Sequence, residues 1–375
     1  MKRTLEPFII KDLAEKVILL SGPRQCGKTT LSKQLVQHFK YLNYDVPEDR
    51  LALRAMAWDR SNELIIFDEL HKMKYWKRWL KGVYDKEGIP PGLLVTGSSK
   101  LDTYRKVGDS MAGRYFQFHL HPLDVKEVVA SVGGSPQEIF ETLFTFSGFP
   151  EPFLKKDEAF YKRWRRTHLD IILRQDLISE YAVKDIQAIE TLVHLLQERV
   201  GSPVSYSALA RDLERDPKTI KRWLMMLENL YVIFKVTPYH KNIARSLLKE
   251  PKYYFYDNGR VMGDEGARLE NLVACALLKE LSFISDVMGT DTALHFLRTK
   301  EGREIDFLVL MDKKPTCAIE VKWSDDDLSP AFKHFSEYLP SCPGIQLVKN
   351  LKREKTYQNG FAIRDVVKWL VDVKI

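Results

Sequence analysis

Short apolar runs alternate with segments of helical periodicity in the N-terminal part of this 375-residue chain. Val17–Ser21 is an apolar run bounded by polar residues, which is typical of a buried parallel strand. Residues 63–67, 92–97 and 115–120 have the same character, while residues 30–36 space their apolar side chains as a helix does. This alternation predicts an α/β fold in which helices cover a parallel sheet.

A mostly helical pattern follows the Gly/Pro cluster at residues 148–152. Its first helix, at residues 157–177, is basic and carries the aromatic-basic stretch Tyr161-Lys162-Arg163-Trp164-Arg165-Arg166. We favour a linker helix whose aromatic residues are packed, and contact with a nucleic acid backbone is the alternative. Residues 206–236 then read as helix, turn, helix and strand, which is the order of a winged helix-turn-helix module.

The second helix of that predicted module carries Lys218, Lys221 and Arg222 on its exposed side. Cationic side chains on such a helix suit phosphates and base edges, so we favour DNA as the partner. A role in protein interaction or oligomer packing is the alternative.

A third region, from about residue 241, returns to strand patterns with one long amphipathic helix. These changes of pattern predict three domains, at residues 1–152, 153–240 and 241–375. The first and third are expected to be α/β, and the second helical.

The net charge of +7 leans toward a polyanionic partner. The four cysteines are far apart and form no C-x-x-C pair, which predicts reduced thiols in a cytoplasmic protein and no zinc site. No run approaches the ~18 apolar residues of a membrane span, so we expect no membrane contact. Assembly into a homo-oligomer and a protein partner stay open.

Residues 22–29 read GPRQCGKT and fit the phosphate-binding loop pattern G-x-x-x-x-G-K-[ST] without a mismatch. A predicted strand precedes them and a predicted helix follows. In that context backbone N–H groups and the positive end of a helix dipole face a phosphate. Lys28 is placed to reach the β- and γ-phosphates of ATP, and Thr29 to offer its hydroxyl to Mg²⁺.

Two carboxylates end the apolar run at residues 63–67. This is the Walker B arrangement, in which Asp68 would hold the shell of Mg²⁺ and Glu69 would polarise the attacking water. Parallel sheets bind ligands at the carboxyl edge of their strands, so the position is suitable.

The strand at residues 92–97 leads into Ser98, which is placed to contact the γ-phosphate or the water. Arg114 is a candidate for stabilising charge on the transferred phosphoryl group, in its own subunit or from a neighbour; a surface arginine at a turn is the alternative. The complete set of predicted nucleotide contacts is Gly22, Pro23, Arg24, Gln25, Cys26, Gly27, Lys28, Thr29, Thr30 and Ser98.

A second chemical pattern lies near the C-terminus. Asp306 is on one predicted strand, and Glu320 and Lys322 share a face of the next, because side chains alternate along a strand. Two carboxylates can hold Mg²⁺ beside a scissile phosphate while the lysine orients water. Glu270, on the helix that begins near residue 265, adds a fourth candidate. A solvated, charged strand face is an equally weighted alternative.

The chain resembles the prokaryotic AAA-type ATPases that carry a C-terminal DUF4143 domain. The resemblance rests on GPRQCGKT at 22–29, LIIFDE at 64–69, TGSS at 96–99, SMAGR at 110–114, EGARLENLV at 265–273 and the REIDFLV…AIEVKWS pattern at 303–324. The C-terminal domain of that family is similar to the PD-(D/E)xK restriction-endonuclease-like fold.

The resemblance implies ATP and Mg²⁺ as cofactors, with Gly27, Lys28 and Thr29 as ligands and Asp68 and Glu69 supporting hydrolysis. It places Glu270, Asp306, Glu320 and Lys322 at the positions of a nuclease-like metal site. We therefore expect a Mg²⁺-dependent ATPase coupled to nucleic acid binding, with a nuclease-like C-terminal domain for which DNA cleavage is a candidate activity. The alternative is an ATP-controlled switch or scaffold with a catalytically inactive C-terminal binding domain.

Overall fold

The computed structural model describes residues 1–101, 111–181, 183, 185–240, 250–299, 301–325 and 327–375. The chain divides into two compact units. The first comprises Met1–Pro122 with Asn229–Tyr231, and the second comprises Leu123–Glu228 with Val232–Ile375. The three-domain division at residues 152 and 240 stays a prediction.

The first unit alternates helices and strands as its sequence pattern predicts. Its helices are α1 (Glu6–Leu13), α2 (Lys28–Gln34), α3 (Pro47–Ala55) and α4 (Trp76–Glu87), with a 3-10 turn at Leu70–Lys72. Its strands are β1 (Val17–Ser21), β2 (Phe39–Asn43), β3 (Leu64–Asp68), β4 (Gly92–Gly97) and β5 (Tyr115–His119).

These five strands form one parallel sheet in the order β2-β3-β4-β1-β5. β1, β3 and β4 are buried along their whole length, which explains why their sequences are mostly apolar. Because every strand points the same way, the segments that follow β1, β3 and β4 meet at one edge. β4 lies between β1 and β3, so the residues after β4 lie between those that follow β1 and β3.

The second unit contains more helix. Its N-terminal helices are α5 (Val125–Val132), α6 (Pro136–Phe146), α7 (Pro150–Lys155), α8 (Glu158–Ile171), α9 (Leu177–Tyr181), α10 (Ile186–Gln197), α11 (Tyr206–Asp212) and α12 (Pro217–Asn229). A π-helical turn at Ile172–Asp176 joins α8 to α9. A 3-10 turn at Asn258–Arg260, α13 (Glu265–Met288), α14 (Pro330–Ser336) and α15 (Val366–Leu370) follow.

An eight-stranded mixed sheet completes the second unit. Its strands are β6 (Ile233–Pro238), β7 (Lys252–Phe255), β8 (Thr292–Arg298), β9 (Glu304–Met311), β10 (Lys314–Lys322), β11 (Gly344–Val348), β12 (Lys355–Thr356) and β13 (Phe361–Asp365). They are ordered β12-β13-β11-β10-β9-β8-β6-β7. β9 and β10 are antiparallel, with Ile319 opposite Phe307, which aligns the next residues on each side, Glu320 and Asp306.

The α/β class, the parallel N-terminal sheet and the paired C-terminal strands are confirmed. The helices and strand predicted at residues 206–236 form as α11, α12 and β6, and β6 pairs with β7 as an antiparallel hairpin. In α8 the aromatic side chains are packed: Trp164 stacks on His168, and the hydroxyl of Tyr161 donates to Asp257 at 2.7 Å. No described helix combines the length and apolar character that a membrane crossing needs.

Candidate functional site

The loop between β1 and α2 depends on two glycines. Gly27 has a φ of 98° where α2 begins, a left-handed conformation that favours glycine. A Cβ on Gly22 would lie 2.2 Å from the carbonyl oxygen of Leu120, so the loop passes that backbone too closely for a side chain. Both residues therefore fix the path of the loop from the strand into the helix.

Other loop residues are held by the first unit itself. Cys26 is buried, and its thiol donates to the carbonyl of Leu120 at 3.3 Å. The guanidinium of Arg3 donates to the Cys26 carbonyl at 2.8 Å. Pro23, Arg24 and Gln25 lie along the loop, with Gln25 at a φ of 61°. Hydrogen bonds within the first unit therefore hold the backbone of this loop at Cys26.

Lys28 is buried and folds over this loop. Its ammonium donates to the carbonyl oxygens of Gly22 at 2.9 Å and Pro23 at 2.7 Å. These two bonds satisfy a buried charge without a carboxylate partner. The ammonium is therefore held beside the loop that is predicted to bind phosphates, and Thr30 lies in the first turn of α2.

Thr29 and Asp68 meet although 39 residues separate them. The hydroxyl of Thr29 donates to Oδ2 of Asp68 at 3.1 Å. Asp68 is buried at the end of β3 and also accepts hydrogen bonds from the hydroxyls of Thr96 and Tyr41. Mg²⁺ prefers hydroxyl and carboxylate oxygens. The residues present therefore fit the predicted magnesium position.

Glu69 follows at a φ of 54°, in the left-handed region. Its Oε2 accepts a hydrogen bond from the hydroxyl of Ser98 at 3.1 Å. Two cationic or basic groups also approach that oxygen: Nε2 of His71 at 3.6 Å and Nζ of Lys72 at 3.7 Å. The predicted general base and the predicted sensor serine are thus in direct contact.

Arg114 lies at the opposite edge of this sheet. Its carbonyl accepts from the backbone N–H of Val17, the first residue of β1, and its guanidinium pairs with Asp85 at 2.9 Å. Since β1 and β5 are parallel, the start of both strands is distant from the loop that follows β1. The prediction that Arg114 acts in the nucleotide site of its own subunit is therefore wrong, and a role in a neighbouring subunit stays a prediction.

The C-terminal acidic residues do converge. The backbone N–H of Val321 donates to Oδ2 of Asp306 at 2.8 Å, and the N–H of Asp306 donates to Oε2 of Glu320 at 3.4 Å. Lys322 pairs with Oε1 of Glu320 at 2.8 Å. Glu320 is only 4% exposed, so the alternative of a solvated, charged strand face is wrong for this residue.

A buried lysine that the sequence analysis missed lies among these carboxylates. Nζ of Lys252, the first residue of β7, lies 3.1 Å from Glu270, 2.5 Å from Glu304 and 3.7 Å from Asp306. The hydroxyl of Tyr254 donates to the same Glu270 oxygen at 2.6 Å. The sequence signal for this lysine was its position at the start of the otherwise aromatic run KYYF, which is typical of a buried strand.

Burial controls the electrostatics of this cluster. Removal from water and the nearby charge of Asp306 raise the pKa of Glu270 to about 8 and that of Glu320 to about 7. Burial likewise raises the pKa of Asp306. Burial opposes the charge of Lys252, but its three carboxylate neighbours outweigh that effect and hold its pKa above the usual value.

The predicted metal site at these residues stays a prediction. Within the part of the chain that the structure describes, no three His, Cys, Asp or Glu side chains are grouped as a metal ion requires. Glu270 and Asp306 instead share the ammonium of Lys252. The position between these carboxylates is occupied by a cation that belongs to the chain.

On α12 the predicted cationic residues are accessible. Lys218, Lys221 and Arg222 are all exposed, whereas Ile220, Trp223 and Leu224 are buried. The helix thus separates an apolar face from a basic one, as its pattern predicts.

Three family models match consecutive parts of the chain. A model described as an AAA domain matches residues 14–129. A domain of unknown function, DUF8612, matches residues 137–262. A second, DUF4143, matches residues 265–366.

Similar proteins are known from several prokaryotes. An uncharacterized protein of Mycobacterium tuberculosis is 27% identical over 310 residues, covering 80% of this chain and 68% of the relative. An uncharacterized protein of Haemophilus influenzae is 25% identical over 327 residues, covering 77% of this chain and 78% of the relative.

Solved structures superpose only loosely. Thermotoga maritima RuvB aligns with a TM-score of 0.31 at 17% identity, covering 66% of this chain and 91% of that chain. A Signal Transduction ATPase with Numerous Domains from Pyrococcus horikoshii aligns with a TM-score of 0.23 at 16% identity, covering 77% and 48%. Superpositions with such scores carry no argument about function.

Proposed function

We propose that this chain, whose residues 14–129 match an AAA domain and whose residues 265–366 match DUF4143, is an ATP-controlled switch that acts on DNA. In this proposal Mg²⁺ and ATP bind at residues 22–30, α12 contacts DNA, and the C-terminal domain does not cleave. The observation that carries the ATPase part is the 3.1 Å contact between Thr29 and Asp68 beside the buried ammonium of Lys28.

Each residue then has one task in hydrolysis. Backbone N–H groups of the loop and the ammonium of Lys28 bind the phosphates. Thr29 and Asp68 would hold Mg²⁺, which offsets phosphate charge when it is bound. Glu69 orients the attacking water and accepts its proton, and Ser98 fixes the carboxylate of Glu69 by their 3.1 Å hydrogen bond.

Nucleotide binding can be measured with a fluorescent ATP analogue, with and without EDTA. We expect Lys28→Ala to weaken binding strongly, since it removes the charge that faces the β- and γ-phosphates. Lys40→Ala, which removes an exposed lysine of β2, is the matched control and should bind as the wild type does. Equal affinity in wild type and Lys28→Ala contradicts the assignment.

The proposal of an inactive C-terminal domain is supported by Lys252. A divalent ion between Glu270 and Asp306 has to displace an ammonium that both carboxylates contact. Leaving that lysine buried without a partner is costly. The ammonium of Lys252 therefore favours a C-terminal domain that binds a partner. It makes hydrolysis of a phosphodiester by this domain less favourable.

Metal-dependent DNA cleavage is the second candidate. The pairing of Lys322 with Glu320 next to Asp306 favours it, because these are the three groups of the predicted constellation. Incubation of the full chain with DNA and RNA in Mg²⁺ or Mn²⁺ separates the two candidates. Cleavage by the wild type that Asp306→Asn abolishes would establish the nuclease. Intact substrate in both reactions supports the switch.

A further inference from the structure

The segment directly after Glu69 is basic and aromatic. Residues 70–84 contain five lysines and arginines and four Tyr and Trp residues, and no acidic residue before Asp85. Such a composition on a surface matches a polyanion whose bases can stack on aromatic rings. Neither the ATP site nor α12 accounts for it.

The structure separates this segment into a buried and an exposed side. Trp76, Leu80 and Val83 of α4 are buried in the core of the first unit. Lys74 and Arg78 are exposed, and Tyr75 is 72% exposed. The ammonium of Lys74 lies 5.0 Å from the centre of the Tyr75 ring. A large aromatic ring is therefore presented to solvent beside a cation.

A cavity of about 450 Å³ is formed by the consecutive residues 71–77. Its lining residues include Tyr75 and three lysines, Lys72, Lys74 and Lys77. Duplex DNA keeps its bases stacked inside the helix, whereas a single strand can place a base against a ring. The lining thus matches a single strand better than a duplex.

The wall of this cavity contacts the ATP site. Lys72 Nζ lies 3.7 Å from Oε2 of Glu69 and 2.6 Å from Asp45, and Nε2 of His71 lies 3.6 Å from the same Glu69 oxygen. The ion pair with Lys72 restrains the carboxylate that, in the proposed function, orients the attacking water. A phosphate in the cavity competes for Lys72 and draws it from Glu69.

We propose that the basic-aromatic cavity at residues 71–77 binds single-stranded nucleic acid, and that its occupation moves Lys72 from Glu69 and accelerates ATP hydrolysis. This inference rests on the proposed function, since it takes Glu69 as the general base. Lys72 is then a positioning residue: it leaves the carboxylate of Glu69 when a phosphate of the strand binds it. Tyr75 supplies the stacking surface.

The test measures ATP turnover by the full chain with oligo(dT), with duplex DNA and without DNA. We expect oligo(dT) to raise kcat about fivefold or more. Lys72→Ala should raise kcat without DNA, leave KM for ATP unchanged and lose most of the response. Lys40→Ala, the exposed lysine of β2, is the control and should respond as the wild type does. A Lys72→Ala enzyme with the kcat and response of the wild type overturns the coupling.

Binding is measured separately, by fluorescence anisotropy of labelled oligo(dT) without nucleotide. Tyr75→Ala should weaken binding about tenfold, and Tyr75→Phe should retain it because the ring remains. Equal binding by wild type and Tyr75→Ala, or tighter binding of duplex than of oligo(dT), overturns the proposed occupant. If the wild type hydrolyses no ATP, the proposed function fails, yet this binding comparison still decides on the cavity.

Discussion

The ammonium of Lys252 lies 3.1 Å from a carboxylate oxygen of Glu270, and its side chain is completely buried. The two residues are on β7 and α13, and β9 adds Glu304 and Asp306 to the same cation. One lysine therefore joins three elements of the second unit. Lys252 has to pair with these carboxylates, because a buried charge without a partner is costly in free energy.

Lys252→Ala is expected to destabilise the protein by about 3–5 kcal/mol, since it leaves buried carboxylates without their cation. Urea unfolding followed by circular dichroism measures the change. Lys235→Ala is the matched control: Lys235 is on the neighbouring strand β6 but exposed, and its ion pair with Glu228 spans 3.7 Å. The control should cost less than about 1 kcal/mol. Equal losses for the two variants contradict the role of Lys252.

The stability of the chain should fall as the pH rises from about 4.5 to about 8. The folded-state pKa values of Glu270, about 8, and Glu320, about 7, lie above the usual value for glutamate. The unfolded chain therefore loses these protons first, and deprotonation favours unfolding by about 1.4 kcal/mol per pH unit for each group. The contribution of Glu270 and Glu320 to the free energy of unfolding is complete below the pKa of unfolded glutamate. It is lost as the pH rises through their folded-state pKa values.

Urea titrations across this pH range measure that slope. Glu270→Gln cannot titrate, so its stability should depend less on pH than that of the wild type. Glu265→Gln, at the exposed start of the same helix, should retain the wild-type slope. A Glu270→Gln variant with an unchanged slope contradicts the assignment of the titration to this carboxyl.

Glu69→Gln should bind ATP and lose most of its turnover, about 10²–10⁴-fold, because the amide cannot accept the proton of water. The amide keeps the size and can still accept the hydrogen bond from Ser98. Steady-state hydrolysis and nucleotide binding, measured on the same preparation, separate the two effects. Wild-type turnover by Glu69→Gln would remove Glu69 from the mechanism.

Replacing Lys218, Lys221 and Arg222 by alanine should weaken duplex DNA binding and flatten its dependence on salt. Each lost phosphate contact changes the slope of log K against log salt by ~0.9. Alanine at Lys162, Arg163 and Arg166, which are exposed on α8, removes the same charge elsewhere and is the control. A larger effect of the control variant would assign DNA contact to α8.

The loop between β1 and α2 and the end of β3 could be predicted from the sequence, because their features are local. Eight consecutive residues set the loop, and the apolar runs before Gly22 and Asp68 predict buried strands that end there. The direction of β5 was not used in the prediction for Arg114, although it determines the edge of the sheet at which this residue lies. A residue that precedes a parallel strand, such as Arg114, lies at the edge opposite to the carboxyl ends.

The C-terminal cluster depended on long-range packing. Alternation along the strands placed Glu320 and Lys322 on one face, and strand pairing brought Asp306 beside them. No periodicity connects Lys252 to Glu270, since they approach only when β7 and α13 pack together.

The sequence by itself determined where the glycine-containing loop lies and which strands are buried, because backbone conformation and side-chain patterns are local properties. Only the tertiary structure decided which charges neutralise one another. The free energy of a carboxylate depends on the groups within a few ångströms, and residues distant in the chain supply them. Glu270 and Asp306, which the sequence predicts as metal ligands, thus lie beside a lysine from another strand.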